Sequence, residues 1–319
     1  MKGRRVIAVF IVSIAILAPG LDAQQATVAL GILPFTDAKG KALEDGAAAA
    51  ELSAVFARYR FIRQVERSRL DEIMKEVELG MTGLVDEGSA VKAGKVRGIE
   101  IMVFGVSAAT GVSARAVHAE TGRVIASAKV ASAGEVRVLG ERLAFDIETY
   151  LARENVRRLR NDSPSIATEF WVERKGGGRL VPGKANTLKI GNSVVFRFRS
   201  NRDGYLTIVD IQPGGDVVVL YPNEFSKDNR VVAGTLYSVP SESDTFEVSV
   251  SEPAGTDTVV AFFTQRKAEW LDRSKLEGEG FWTVKGPGRF AAARGLSITA
   301  TGLKKDEWES AVIEIEVGR

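Results

Sequence analysis

The 319-residue chain has room for two domains of ordinary size, each with its own core. Its 43 basic and 41 acidic residues nearly cancel, which argues against the single-sign field of a nucleic-acid binder. It has no cysteine, so disulfides, thiol nucleophiles and thiolate metal centres are excluded.

Residues 1–23 read as a secretory signal. Lys2, Arg4 and Arg5 precede an apolar run over 6–18, Pro19 and Gly20 break it, and Ala23 offers a small residue for cleavage. The run is shorter than the ~20 residues a membrane span needs, and an uncleaved anchor is the alternative. A lipoprotein signal would place a cysteine after the cut. The expectation is therefore export without a lipid, with the mature chain starting near Gln24.

Residues 27–35 are almost continuously apolar, as in a strand inside a helix-covered sheet. Residues 41–59 predict a helix with Leu52, Val55, Phe56 and Tyr59 on one side. Ala47, Ala50 and Ala54 would let that helix sit close to the sheet. Phe61, Ile62 and Val65 suggest a second strand. From Ser68, a good N-cap, Leu70, Ile73, Met74 and Val77 follow the spacing of a helix with one apolar face. Gly80 and Gly83 break that period. A second short helix opens at Asp86, carries Val91 and Val96 inward and stops at Gly98. Residues 99–106 read as an interior strand interrupted by Glu100. Residues 112–119 and 123–130 alternate apolar and polar around Glu120-Thr121-Gly122, a hairpin. A long amphipathic helix over 138–159 buries Leu143, Ile147 and Leu151. Arg153, Arg157, Arg158 and Arg160 cluster at its end, read as complementing the helix C-terminus in solvent or, alternatively, as a contact surface for a partner or anionic headgroups.

The run VERSRLDEIMKE from Val65, followed by GLVDE, AVKAGK and then VFG at Val103, resembles the CsgG-like family, to which the curli-secretion channel component belongs. The resemblance implies a small α/β periplasmic domain that forms rings. In channel members two added hairpins per subunit cross the outer membrane, which needs strands of about 9–11 residues each. Here residues 107–111 alone separate two core strands and the next turn is tight, so an integral pore is not expected.

Residues 161–167 read as a linker. Beyond them, short alternating segments at 194–199, 205–212, 216–221, 246–250, 258–264 and 311–317, with Pro213-Gly214-Gly215 as a hairpin turn, predict a β-sandwich. The pieces GYLTIVDIQPGGDVVVLYPN at 204–223, Ala233-Gly234, Val239-Pro240 and EPAGTDTVVAF at 252–262 resemble a bacterial domain of unknown function. That likeness implies a fold class and no chemistry. The expected organisation is a signal over 1–23, an α/β domain with a helix-covered mixed sheet over 24–160, a linker over 161–167 and an all-β sandwich over 168–319.

No catalytic, cofactor-binding or metal-ligating residue is expected. His118, the single histidine, lies in an alternating strand, and the chain has no Gly-x-Ser-x-Gly elbow to supply a nucleophile. Gly178 to Lys184 spells a phosphate-loop pattern, but Ala185 stands where Ser or Thr would hold magnesium, and Pro182 removes a donor. Asp71, Glu72, Glu76 and Glu78 fall mostly on the polar side of their helix, where Asp71 and Lys75 suit an exposed ion pair. Phe281 and Trp282, with Trp270 and Trp308, form either an aromatic surface or core packing, the latter favoured. The functional expectation is a non-catalytic periplasmic accessory of envelope assembly or secretion, free or peripheral to the outer membrane. It would work through envelope or secretion proteins, with self-association open. A periplasmic ligand- or peptide-binding sensory module is the alternative.

Overall fold

The computed structural model describes residues 27–43, 46–66, 68, 70, 98–180, 186–267, 276–284 and 289–319. The expected export signal, most of the two helices expected within 68–97, the acids from Asp71 to Glu78, and Trp270 lie outside the described residues.

The first sheet contains β1 (Val28–Ile32), β2 (Ile62–Gln64), β3 (Ile101–Ala108), β4 (Gly111–His118) and β5 (Arg123–Val130), in the order β2-β1-β3-β4-β5. β1 runs parallel to both β2 and β3, while β3, β4 and β5 are antiparallel, which makes the sheet mixed. The apolar runs of β1 and β3 take its centre, where both faces are covered. Glu100, the one charge expected to interrupt that run, precedes β3 and accepts a hydrogen bond from the Ala29 N–H at 3.1 Å. Helices α1 (Ala47–Phe56) and α2 (Val136–Arg157) lie on one face, where Leu52, Phe56, Leu139, Leu143 and Ile147 close the core with Leu30 and Ile101. Leu33, Leu70, Ile99, Met102, Phe104 and Val117 form a second apolar cluster.

The expectation for the alanines of α1 is corrected. Ala47, Ala50 and Ala54 face solvent, and the buried stripe runs through Leu52, Val55 and Phe56. Close packing comes instead from α2. A Cβ on Gly140 would stand 2.8 Å from Leu52 Cδ1 and 3.0 Å from Val55 Cγ1, so a hydrogen at that position lets the two helices touch. A capping box starts the approach to α2, with the Ser132 N–H donating to Glu135 Oε2 at 3.1 Å and its hydroxyl to the same oxygen at 3.2 Å.

The second half begins with β6 (Thr168–Arg174), β7 (Arg179–Leu180), β8 (Asn186–Lys189), β9 (Ser193–Ser200), β10 (Gly204–Ile211), β11 (Val217–Tyr221) and β12 (Arg230–Val231). It continues with β13 (Tyr237–Val239), β14 (Val248–Ser249), β15 (Gly255–Thr264), β16 (Leu276–Glu277), β17 (Trp282–Val284) and β18 (Trp308–Gly318). One sheet has the order β16-β17-β11-β10-β15-β18-β8, with β12 on β10. The other has the order β13-β9-β6-β7, with β14 on β9. Their facing residues share one core, including Phe170, Phe196 and Phe198 from the second sheet and Leu206, Ile208, Val259 and Phe263 from the first. That is the expected sandwich. It is not all-β: helix α3 (Arg289–Gly302) covers the outer face of the larger sheet, setting Ala292, Leu296 and Ala300 at four-residue intervals against it.

Helix α2 belongs to both halves. Leu139, Leu143 and Ile147 pack on the first sheet, whereas Ala152, Val156 and Leu159 pack with α3 on Val209, Ile211, Val260 and Phe262 of the larger sandwich sheet. Asn161 beyond it is buried, donating through Nδ2 to the carbonyls of Lys305 and Trp308 at 2.7 Å each.

Candidate functional site

Where α2 crosses the ends of β10 and β15, the protein gathers buried polar atoms. Arg153 Nη2 donates to the Gln212 carbonyl at 2.8 Å, in the turn after β10. Gly215, in the same turn at φ +91°, presses against Thr149 of α2, and any Cβ there would stand 2.2 Å from Thr149 Oγ1. On the strands below, Asp210 pairs with Val259, and Asp257 lies two residues before Val259. Alternation therefore puts both carboxyls on the face turned into the sandwich, as diagonal neighbours. Thr149 Oγ1, Arg153 Nε, Asp210 Oδ1, Asp257 Oδ1 and Thr258 Oγ1 are all buried without a hydrogen-bond partner. Burial drives the Asp210 carboxyl well above the usual carboxylate range, and the Asp257 charge adds to the rise while Arg153 opposes it. Burial pushes Asp257 up to about 6, again against the pull of Arg153. The Arg153 guanidinium is itself lowered, by desolvation first and then by Arg157. Carboxyls raised in this way hold a proton more tightly than exposed ones do, and these side chains include no nucleophile and base in contact.

The arginines at the end of α2 are divided by this arrangement. Arg153 turns into the seam. Arg157 bonds Glu154 at 2.9 Å and, through Nε, Glu314 of β18 at 2.6 Å, while Arg158 and Arg160 remain exposed. Two of the four thus join the halves of the chain, which neither expectation for that cluster foresaw.

Strand β5 ends the first sheet. Among the described residues only β4 pairs with it, and Arg123, Val124, Ser127 and Lys129 are exposed, Val124 at 51%. Ala119 N donates to the Glu100 carbonyl at 2.8 Å, which sets the hydrogen-bond alternation of the ladder. Val112, Ala114 and Ala116 of β4 then bond to Val130, Ala128 and Ala126, and the backbone groups of Ser127 and Lys129 point away from the sheet.

A third feature lies on the loops of the sandwich. Phe246 stacks on Phe225 with ring centroids 4.4 Å apart and meets Phe281 edge-on at 5.5 Å, and Phe225 is 56% exposed. Of the aromatic residues singled out in the sequence, Phe281 joins this cluster, Trp308 is buried against Phe262, and Trp282 is half-buried in β17. His118 is a strand residue with Nδ1 buried and unpartnered and its ring 6.0 Å from that of Tyr150. The described part of the phosphate-loop look-alike is strand: Arg179 of β7 lays its guanidinium over the Trp171 ring at 4.1 Å. No group of three or more His, Asp or Glu side chains suited to a metal ion occurs among the described residues. Asp210 and Asp257 were missed in the sequence, although each is a lone acid in a β-branched and apolar strand run.

Residues 12–109 match the family model described as curli production assembly/transport component CsgG, and residues 187–267 match a domain of unknown function, DUF4384. The chain joins a CsgG-like region to a DUF4384 domain. The first match ends in the turn after β3, so β5 and Arg153 lie outside both matched regions, while Asp210 and Asp257 lie inside the second. The CsgG-like region points to an envelope-associated protein. No curated protein matches. Among solved structures, the LpoB C-terminal domain from Salmonella enterica is similar at 16% identity and a TM-score of 0.27, over 34% of this chain and 84% of that one. The LpoB C-terminal domain from Escherichia coli is similar at 18% identity and the same TM-score, over 35% and 86%. No helix among the described residues is long and apolar enough to cross a membrane.

Proposed function

We propose that this protein is a non-catalytic periplasmic accessory of cell-envelope assembly or secretion that acts by binding other proteins. The observation that carries the reading is the CsgG-like match over residues 12–109 on a sheet with short connections. Ala109 and Thr110 alone join β3 to β4, and residues 119–122 join β4 to β5, so these joints lack the strand length that membrane hairpins require. Among the described residues, function has a surface to use: the β5 sheet edge and the loops of the sandwich. Fractionation of cells producing the full chain should place it in the periplasm or loosely on the outer membrane, released by high salt, with no conductance in planar bilayers. Recovery as a detergent-requiring integral protein, or robust single-channel currents, would sink this reading.

The Phe225, Phe246 and Phe281 cluster favours a second reading, a sensory module whose sandwich binds a ligand or peptide. A compound or peptide that protects residues 168–319 from proteolysis, with that protection lost in Phe246→Ala, would support it.

A further inference from the structure

We propose that the outer edge of β5 receives an extended segment of a partner protein, by strand addition, and that this segment is acidic on one face and apolar on the other. The inference rests on the accessory reading above and names the surface and the chemistry of its partner. The backbone N–H and C=O groups of Ser127 and Lys129 face outward, so an incoming strand finds hydrogen-bonding groups in place. Side chains of that strand would alternate between two surroundings. On the helix-covered face they meet Ala126, Ala128 and Val130, small or apolar residues that belong to or border the first core. On the opposite face they meet Ser127 and Lys129, with Arg115 across the ladder from Ser127. Strand β5 contains Arg123 and Lys129 and no acid. Arg123 leans over the Tyr150 ring of α2 on the helix-covered face, 6.0 Å from its centroid, so carboxylates on the other face of the incoming strand would pair with Lys129, whereas a second copy of β5 would bring another lysine to the same edge. The charge thus discourages self-pairing and selects a partner of opposite sign.

The test uses the full chain and two synthetic peptides, one alternating valine and glutamate and one alternating valine and lysine, followed by fluorescence anisotropy. The acidic peptide should bind roughly tenfold more tightly than the basic one. Ser127→Pro removes an outward N–H where an edge strand tolerates proline, and should abolish binding with an unchanged circular dichroism spectrum. Lys129→Glu, at an exposed position, should reverse the preference between the peptides. Equal binding of both peptides, a preference that survives Ser127→Pro, or concentration-dependent dimers lost in Ser127→Pro would each overturn the proposal. A photo-crosslinker at Lys129 and another at Phe225 separate the two levels in the native envelope. Protein adducts at Phe225 with none at Lys129 would refute the β5 assignment and leave the accessory reading intact; adducts at neither position would refute both.

Discussion

Arg153 of α2 reaches across 59 residues of sequence to place Nη2 2.8 Å from the carbonyl of Gln212, and so ties the helix of the first sheet to a turn of the sandwich. Its Nε is buried without a partner beside two strands carrying Asp210 and Asp257, whose Oδ1 atoms are likewise unpartnered. Three ionisable groups with so few hydrogen bonds make the stability of this joint depend on proton occupancy.

The sign follows from the direction of the carboxyl shifts. Asp257 is raised to about 6 in the folded chain, so the folded state holds that proton more tightly than the unfolded state does. Its contribution is most favourable below the unfolded value and is lost as pH rises through about 6; Asp210, also raised well above the usual carboxylate range, acts in the same sense. Asp257→Asn should therefore stabilise the protein by about 1–3 kcal/mol at pH 7.5 and by much less at pH 4.5. Urea midpoints of wild type and variant across that range should diverge as pH rises. Parallel curves would rule out this role for Asp257.

Arg153→Met tests the opposite charge. Methionine keeps much of the aliphatic volume but abandons the Gln212 carbonyl and removes the cation that lowers both carboxyls. A loss of about 1–3 kcal/mol at pH 7.5 is expected, with faster amide exchange in residues 212–216 and a pH dependence displaced upward. Unchanged exchange in that turn would mean the hydrogen bond does not hold the joint.

The core of the first sheet gives a prediction free of charge. A Cβ on Gly105 of β3 would lie 2.2 to 2.4 Å from three atoms of the fully buried Phe35 ring, a contact no small adjustment relieves. Gly105→Ala should cost about 3 kcal/mol, and adding Phe35→Leu should recover part of the loss by vacating the same space. Strictly additive thermal-melt losses for the two changes would contradict the contact.

Patterns confined to one strand or turn were legible before the structure was known. The alternation of β4 and β5 and the turn at Pro213-Gly214-Gly215 report local geometry, and the structure places them there. Helix α3 was not legible because Gly295 and the β-branched Thr299 and Thr301 weaken its propensity, and the packing residues described on it, Ala292, Ala293, Leu296 and Ala300, signify little until the sheet beneath them exists. Arg153 failed for the same reason in reverse. A cation at a helix end reads as solvated, and its burial is imposed by strands more than fifty residues away. Ala47, Ala50 and Ala54 were assigned to the wrong side because alanine suits either side of a helix.

Asn161 carries the last expectation. In sequence it opens a polar stretch that reads as a linker, yet its side chain is 5% exposed and its Nδ2 serves two carbonyls, Lys305 and Trp308, from the segment that enters β18. The Oδ1 atom in turn accepts from the Ser163 N–H at 3.1 Å. Asn161→Asp keeps the shape and the acceptor but replaces the two donated bonds with a carboxylate facing two carbonyl oxygens. Asn161→Ala removes donor and acceptor together and leaves the buried Trp308 carbonyl without this partner, while the carbonyl of exposed Lys305 can turn to water. Each change should cost about 2–4 kcal/mol at pH 7.5. The two should separate with pH, because protonation lets the aspartate variant donate once more, so it should regain stability at pH 4.5 while the alanine variant does not. Denaturant titrations at the two pH values measure this directly, and an aspartate variant as stable as wild type at pH 7.5 would show that the segment entering β18 is held by its strand pairing alone.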